Sequence, residues 1–379
     1  MKSRLLPAIL VAACVLASEA AADSTSVAAP AWVGEVALNG FLSSTYSYNF
    51  NHPDAGTNQL RVFDFDDNTF KLDVFEIVVQ KPVVKPRDAG FRVDLEMGSS
   101  IPRVSAAAGL FRDASGTAGD FDVQQAFASY VAPLGSGLRL DFGKFVTHFG
   151  YEVIEGYDGW NDNATRSLLF GYAIPFTHVG VRASYALSSK ASVTGLVVNG
   201  WDVARDNNHS KSLGWQLALT PSTPLAIYFN GMWGPERAGD DLRDRTALDL
   251  VATLRSASGR VVGVNGDWAR EDNSPPPGAN GIGPPIEHWM GIAGYLRNPF
   301  TSSFAVTLRG ELFDDRDGAR TGTAQKVSEF TVTPELRLTP HFLVRSDLRS
   351  DHSDHDSFQK GATFTATQTT VLFGVIYHF

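Results

Sequence analysis

Apolar and polar residues alternate one by one along short segments of this chain, and the alternation runs to its last residue. Val371, Phe373, Val375, Tyr377 and Phe379 are apolar at a period of two. The interleaved Gln368, Thr370, Leu372, Gly374, Ile376 and His378 are mixed. A period of two is one face of a strand. Phe91, Val93, Leu95 and Met97 alternate with Arg92, Asp94 and Glu96. Phe304, Val306, Leu308 and Leu312 alternate with Thr307, Arg309 and Glu311. Phe330, Val332, Leu336 and Leu338 alternate with polar residues that include Glu335 and Arg337, and Phe342, Val344 and Leu348 with Arg345, Asp347 and Arg349. Several charges on one face of one strand exclude a dry core there, so that face meets water.

The pattern predicts sixteen strands, near residues 33–50, 69–80, 89–97, 120–131, 137–148, 171–187, 191–201, 211–221, 224–235, 243–256, 259–271, 286–297, 301–314, 326–339, 341–351 and 365–379. Two are irregular. The phase slips near Phe75 and Glu76, and 191–201 is apolar on both faces. No amphipathic helix of useful length is expected after residue 32. The connections alternate in length. Residues 132–136, 188–190, 221–223, 257–258, 298–300 and 339–340 are short. Residues 51–68, 98–119, 149–170, 202–210, 236–242, 272–285, 315–325 and 352–364 are long and polar. Short turns on one side and long loops on the other characterise an outer-membrane barrel. A soluble β-sandwich has no reason to keep that register. The expected fold is all-β: a transmembrane, antiparallel, up-and-down barrel of about 16 strands (14–18 as the range), with short periplasmic turns and long extracellular loops.

The start of the chain agrees. Lys2 and Arg4 precede an apolar stretch at 5–17, and Ala20, Ala21 and Ala22 supply an A-x-A cleavage site. This reads as a signal peptide over 1–22, followed by a flexible lead at 23–32 and the barrel at 33–379. The apolar stretch is shorter than the ~20 residues of a spanning helix. Cys14, the chain's one cysteine, also fits a lipoprotein-type pattern, but it sits inside the apolar run and reads as part of it. Its loss with the leader leaves no thiol for disulfide or redox chemistry. The net charge is −9 with no basic patch, which disfavours nucleic acid as a partner.

Several stretches carry a family resemblance. They are residues 40–72, from GFLSSTYSYNF to DNTFKL; GKFVTHFGYEVIEG and TRSLLFGYAIPFTHVGVRASY within 140–185; VTGLVVNGWD at 193–202; RGELFDDRDGAR at 309–320; and the closing TTVLFGVIYHF. The chain resembles the OmpL-like family of putative outer-membrane beta-barrel porins. The resemblance implies an outer-membrane, pore-forming barrel, and implies no substrate and no residue roles.

Candidate functional residues follow from the faces and loops. Arg92, Asp94, Glu96, Arg309, Glu311, Glu335, Arg337, Arg345, Asp347 and Arg349 are expected to line a water-filled lumen, since about sixteen strands enclose more space than side chains fill. The alternative is an interior network of ion pairs. The third long loop, 149–170, is the candidate constriction, with Glu152, Glu155, Asp158, Asp162 and Arg166; the alternative is an ordinary surface loop. Val371, Phe373, Val375, Tyr377 and Phe379 form the candidate membrane-insertion strand. The acidic runs 351–356 and Asp64, Asp66 and Asp67 could attract cations, but such runs are usually solvated, and no metal or cofactor is expected. The segment 313–324 fails the calcium-loop pattern, with Phe313 and Ala324 at ligand positions. Hydrolase motifs are absent; Asp141, His148 and His178 are the nearest approach to a catalytic set, without supporting spacing.

The expected function is passive diffusion of ions or small polar solutes through a charged lumen, not catalysis. The alternatives are a non-conducting structural or surface-binding barrel and, further off, an outer-membrane hydrolase. Expected partners are the outer-membrane bilayer, the barrel-assembly machinery through the C-terminal strand, and small polar solutes or ions. A homotrimer is left open, because alternation reveals no interface.

Overall fold

In a computed structural model, the described residues are 35–111, 117–274 and 284–379, with the side chains of 105–108 also outside the description. The proposed signal peptide, the lead and Cys14 lie outside them. The chain divides into Met1–Val36 and Ala37–Phe379, and the second unit is the barrel.

Sixteen strands close into one antiparallel barrel. In chain order they are β1 (Ala37–Asn49), β2 (Thr69–Lys81), β3 (Ala89–Met97), β4 (Phe121–Ala132), β5 (Leu138–Val146), β6 (Thr177–Ser188), β7 (Ala191–Val198), β8 (Ser212–Ser222), β9 (Leu225–Pro235), β10 (Asp244–Arg255), β11 (Val261–Asp272), β12 (Ile286–Pro299), β13 (Phe304–Asp315), β14 (Gln325–Thr339), β15 (Phe342–Ser353) and, after a small hairpin, β18 (Thr367–His378). Each strand pairs with its sequence neighbour, and β18 pairs with β1. The closure continues past the last strand: the Gly40 and Phe379 N–H groups each donate to the other residue's carbonyl at 3.0 Å. Closure removes the free edge, so every strand's backbone finds a partner, as hydrocarbon demands.

The alternation fixes the faces. Phe373, Tyr377 and Phe379 point out and are exposed, as are Phe330, Leu336, Leu348 and Leu312 on neighbouring strands. Gln368, Thr370, Leu372 and Ile376 point in and are buried. The phase slip in β2 has a cause. The β1–β2 register jumps between Ser43, opposite Val74, and Ser44, opposite Leu72. Asp73 is therefore the extra residue of a bulge, which moves later side chains to the other face.

Three expectations need correction. Residues 171–176 are not strand: β6 begins at Thr177, and Leu169–Ala173 forms one turn of π-helix inside the third loop. A helix, α1 (Ile101–Ala108), occupies the second loop. The last long loop holds a hairpin of β16 (Phe358–Lys360) and β17 (Thr363–Thr365). Both extra elements are short, and their periodicity is correspondingly weak.

Candidate pore and constriction

The third loop, between Val146 and Thr177, does not stay on the surface. It folds into the barrel and is fastened to the inner wall of β13, β14 and β15. Its backbone N–H groups are captured by wall carboxylates. Leu168 donates to Glu311 at 2.6 Å, and Ala164 and Thr165 donate to Asp347 at 3.1 and 2.7 Å. Its carbonyls are captured by wall arginines. Arg309 donates to the Thr165 carbonyl at 2.6 Å, Arg345 donates to that of Asn161 at 2.6 Å, and Arg349 donates to that of Arg166. The loop's own acids complete the network: Glu152 pairs with Arg309 at 2.7 Å, and Glu155 pairs with Arg345 at 2.9 Å and Arg166 at 3.0 Å. Burial opposes ionisation of Glu155, but the two guanidiniums outweigh it and hold this carboxyl below its ordinary range.

Apolar contacts hold the two ends of the loop. Its tip, Tyr157 and Trp160, packs on Phe41, Leu343 and Ile376, which explains why the inner face of β18 is partly apolar. At the loop end of the barrel, Phe149, Leu168, Leu169, Phe170 and Phe176 join Phe63, Trp201, Trp289, Phe313 and Phe358 in one buried cluster. Leu196 and Val198 of β7 belong to it, so the two-faced apolarity of that strand is one face for lipid and one for this cluster.

The ten wall charges all sit on inward-facing positions, but they divide. Arg309, Glu311, Arg345, Asp347 and Arg349 are at most 4% exposed and lie under the loop. Their expected role as water-facing lining is corrected: they anchor the loop. Alternation reports which face a residue occupies, not what covers that face. Glu335 is buried against Arg297 (3.1 Å), and Arg337, farther toward the turn end, lies over Trp160. Arg92, Asp94 and Glu96 border a cavity of about 830 Å³ between the loop and the walls of β2–β6 and β8–β10. Of the loop residues, Glu152, Asp158 and Asp162 border the same cavity, whereas Glu155 and Arg166 are buried in the anchor.

Sequence alone missed several residues bordering that cavity: Glu76, Arg139, Arg182 and Arg255. Glu76 was hidden by the bulge. Arg139 and Arg182 do alternate with apolar neighbours, so their faces were legible; their strands simply carry fewer charges. Arg139 and Arg182 share Asp141, at 2.9 and 2.8 Å. Asp141 therefore does not serve a histidine. His178 bonds Gly200 and Thr147, and His148 bonds the Trp215 carbonyl. The three do not form a catalytic set. Asp64 and Asp351 of the acidic runs both pair with Arg61, in the interior of the loop end.

A closed sixteen-strand antiparallel barrel, with an apolar outer face and a long loop folded inside, defines a porin-type outer-membrane protein. The chain belongs to the putative beta-barrel porin-2, OmpL-like family, which it matches over residues 35–379. No curated protein matches it in sequence. Among solved structures it is similar to the anion-selective porin from Comamonas acidovorans, at 12% identity and TM-score 0.59, covering 91% of this chain and 99% of that one. It is also similar to OprB of Pseudomonas putida, at 10% identity and TM-score 0.59, covering 92% and 95%. A loop-deletion mutant of OmpT, an outer membrane protein of Vibrio cholerae, matches at 12% identity and TM-score 0.58, covering 91% and 99%. At these identities the likeness is one of fold.

Proposed function

We propose that this protein is a diffusion channel of the outer membrane, through which ions and small polar solutes pass a constriction made by the third loop. One observation carries the proposal: a long loop is fastened inside a sixteen-strand barrel, and a charge-lined cavity remains beside it. The pore lining in this proposal is Arg92, Asp94 and Glu96 with Arg139, Arg182 and Arg255, faced by Asp158 and Asp162 of the loop. Glu152, Glu155 and Arg166 hold the loop in place. Discrimination is by size and field, with no cofactor and no turnover. The chain would reach the membrane by a cleaved signal peptide and the assembly machinery, and would assemble as a homotrimer.

A second reading has an observation in its favour. The aromatic cluster at the loop end fills the barrel interior there, as a non-conducting structural or surface-binding barrel would require. Single-channel recording of refolded protein in planar bilayers decides between them. Discrete conductance steps support the channel; silence from a folded, heat-modifiable barrel supports the closed form.

A further inference from the structure

We infer that the channel prefers small anions, although the chain's formal charge is −9. The inference rests on the channel reading and specifies its solute class. Net charge pools loops with lumen, whereas a permeating ion feels the charges that meet water in the cavity.

Pairing, together with burial of the wall acids, sorts those charges by sign. Glu76, Asp94 and Glu96 on the wall are 1–3% exposed. Glu76 is capped by the Tyr157 N–H at 2.8 Å, and Asp94 is held by Arg92 and by the Gln125 amide at 2.6 Å. The two acids that do reach water come from the loop, and each is paired. Asp158 binds Arg92 at 2.6 Å, and Asp162 binds Arg297 at 3.1 Å. The arginines are less matched. The Arg139 side chain is 43% exposed and that of Arg182 is 20%, and together they hold one carboxylate, Asp141. Arg255 is exposed at the turn end of β10 and makes no ion pair among the described residues. The water-facing charge left over after pairing is thus positive, on β5, β6 and β10. Guanidinium also suits the task, because its planar donors are weakly hydrated and accept an oxyanion in exchange for water.

The test is the reversal potential of the refolded full-length chain in a planar bilayer, under a potassium chloride gradient. One unbalanced charge ~8 Å from an ion in water biases its occupancy about twofold. The expected result is a chloride-over-potassium permeability ratio above one. Arg255→Glu should lower it by about sixteenfold, since reversal removes one positive charge and adds one negative, and each shifts chloride and potassium about twofold in opposite senses. Arg139→Gln should lower it about fourfold by the same rule. Both side chains are exposed, so neither change unpacks the barrel. Conduction with potassium preferred overturns the inference and leaves the channel standing. A ratio that both variants leave unchanged also overturns it. Absence of conductance from a folded barrel overturns the inference and the channel together.

Discussion

At the residue scale, the informative side chains are those that sequence reading assigned to the lumen and the structure assigns to the loop. Arg345 reaches both Glu155 oxygens at 2.9 Å and the Asn161 carbonyl at 2.6 Å, at 2% exposure. Removing one partner of such a pair leaves a buried charge without compensation, which costs about 3–5 kcal/mol. Arg345→Ala should therefore loosen the loop, lower the thermal midpoint of the detergent-solubilised barrel and raise the open-channel noise. An unchanged midpoint and a quiet current would show that the loop is held by its apolar ends alone. The same contact sets a pH dependence. The Glu155 carboxyl is lowered from an ordinary value of 4.5, so it stays ionised in the folded protein at pH where the unfolded chain takes up a proton. Its stabilisation is complete above 4.5 and is lost as pH falls below that value through the folded one. Loop noise should rise as pH is taken from the neutral range to well below 4.5, and Glu155→Gln should show that noise already at neutral pH. Noise that is flat with pH in the native protein would remove Glu155 from the anchor.

At the element scale, strands were legible from their period, whereas the third loop was singled out as a candidate constriction without any periodic signal. A strand that separates lipid from interior must alternate, and the sequence therefore displays β3, β13, β14, β15 and β18 openly. A loop folded into a lumen follows no period. Its destination is written only as a departure from pattern elsewhere: the apolar inner positions Leu372 and Ile376, the two-sided apolarity of β7, and wall charges too numerous for a merely wetted surface. The hairpin β16–β17 is the clearest case of an element without a period. Its Phe358 is fully buried in the loop-end cluster, and Gly361 bonds the carbonyls of Asn51 and His52 in the first loop. Replacing 357–365 with a short Gly-Ser linker removes that residue and the bridge to the first loop. If the cluster limits flow, unitary conductance should rise while ion preference stays put, because the arginines lie nearer the turns. A conductance equal to that of the native chain would place the limiting resistance at the third-loop tip.

At the scale of the whole molecule, the β1–β18 ladder closes the barrel and Phe379 extends that seam. Phe379 exchanges two backbone hydrogen bonds with Gly40, and its ring lies where a Cβ on residue 40 would be, 2.4 Å from the nearest ring carbon. The ring is nonetheless half exposed on the outer face, beside Tyr377. Two roles are thus available to it, and they separate experimentally. As a structural seal, the aromatic side chain adds contact over Gly40, but the two backbone bonds survive its removal. As a recognition element for the assembly machinery, its exposed face matters before the barrel exists. Phe379→Ala keeps the backbone seal and deletes the exposed aromatic. The expected result is a marked drop in folded protein in the outer membrane of cells. Protein refolded in detergent should keep its heat-modifiable mobility and its unitary conductance. Loss of both would make the ring part of the seal, and normal levels in cells would show that Val371, Phe373, Val375 and Tyr377 suffice for insertion. Gly40→Val makes the complementary case. It forces the ring off the seam while leaving the terminal aromatic in the chain, so it should lower the thermal midpoint more than it lowers delivery to the membrane.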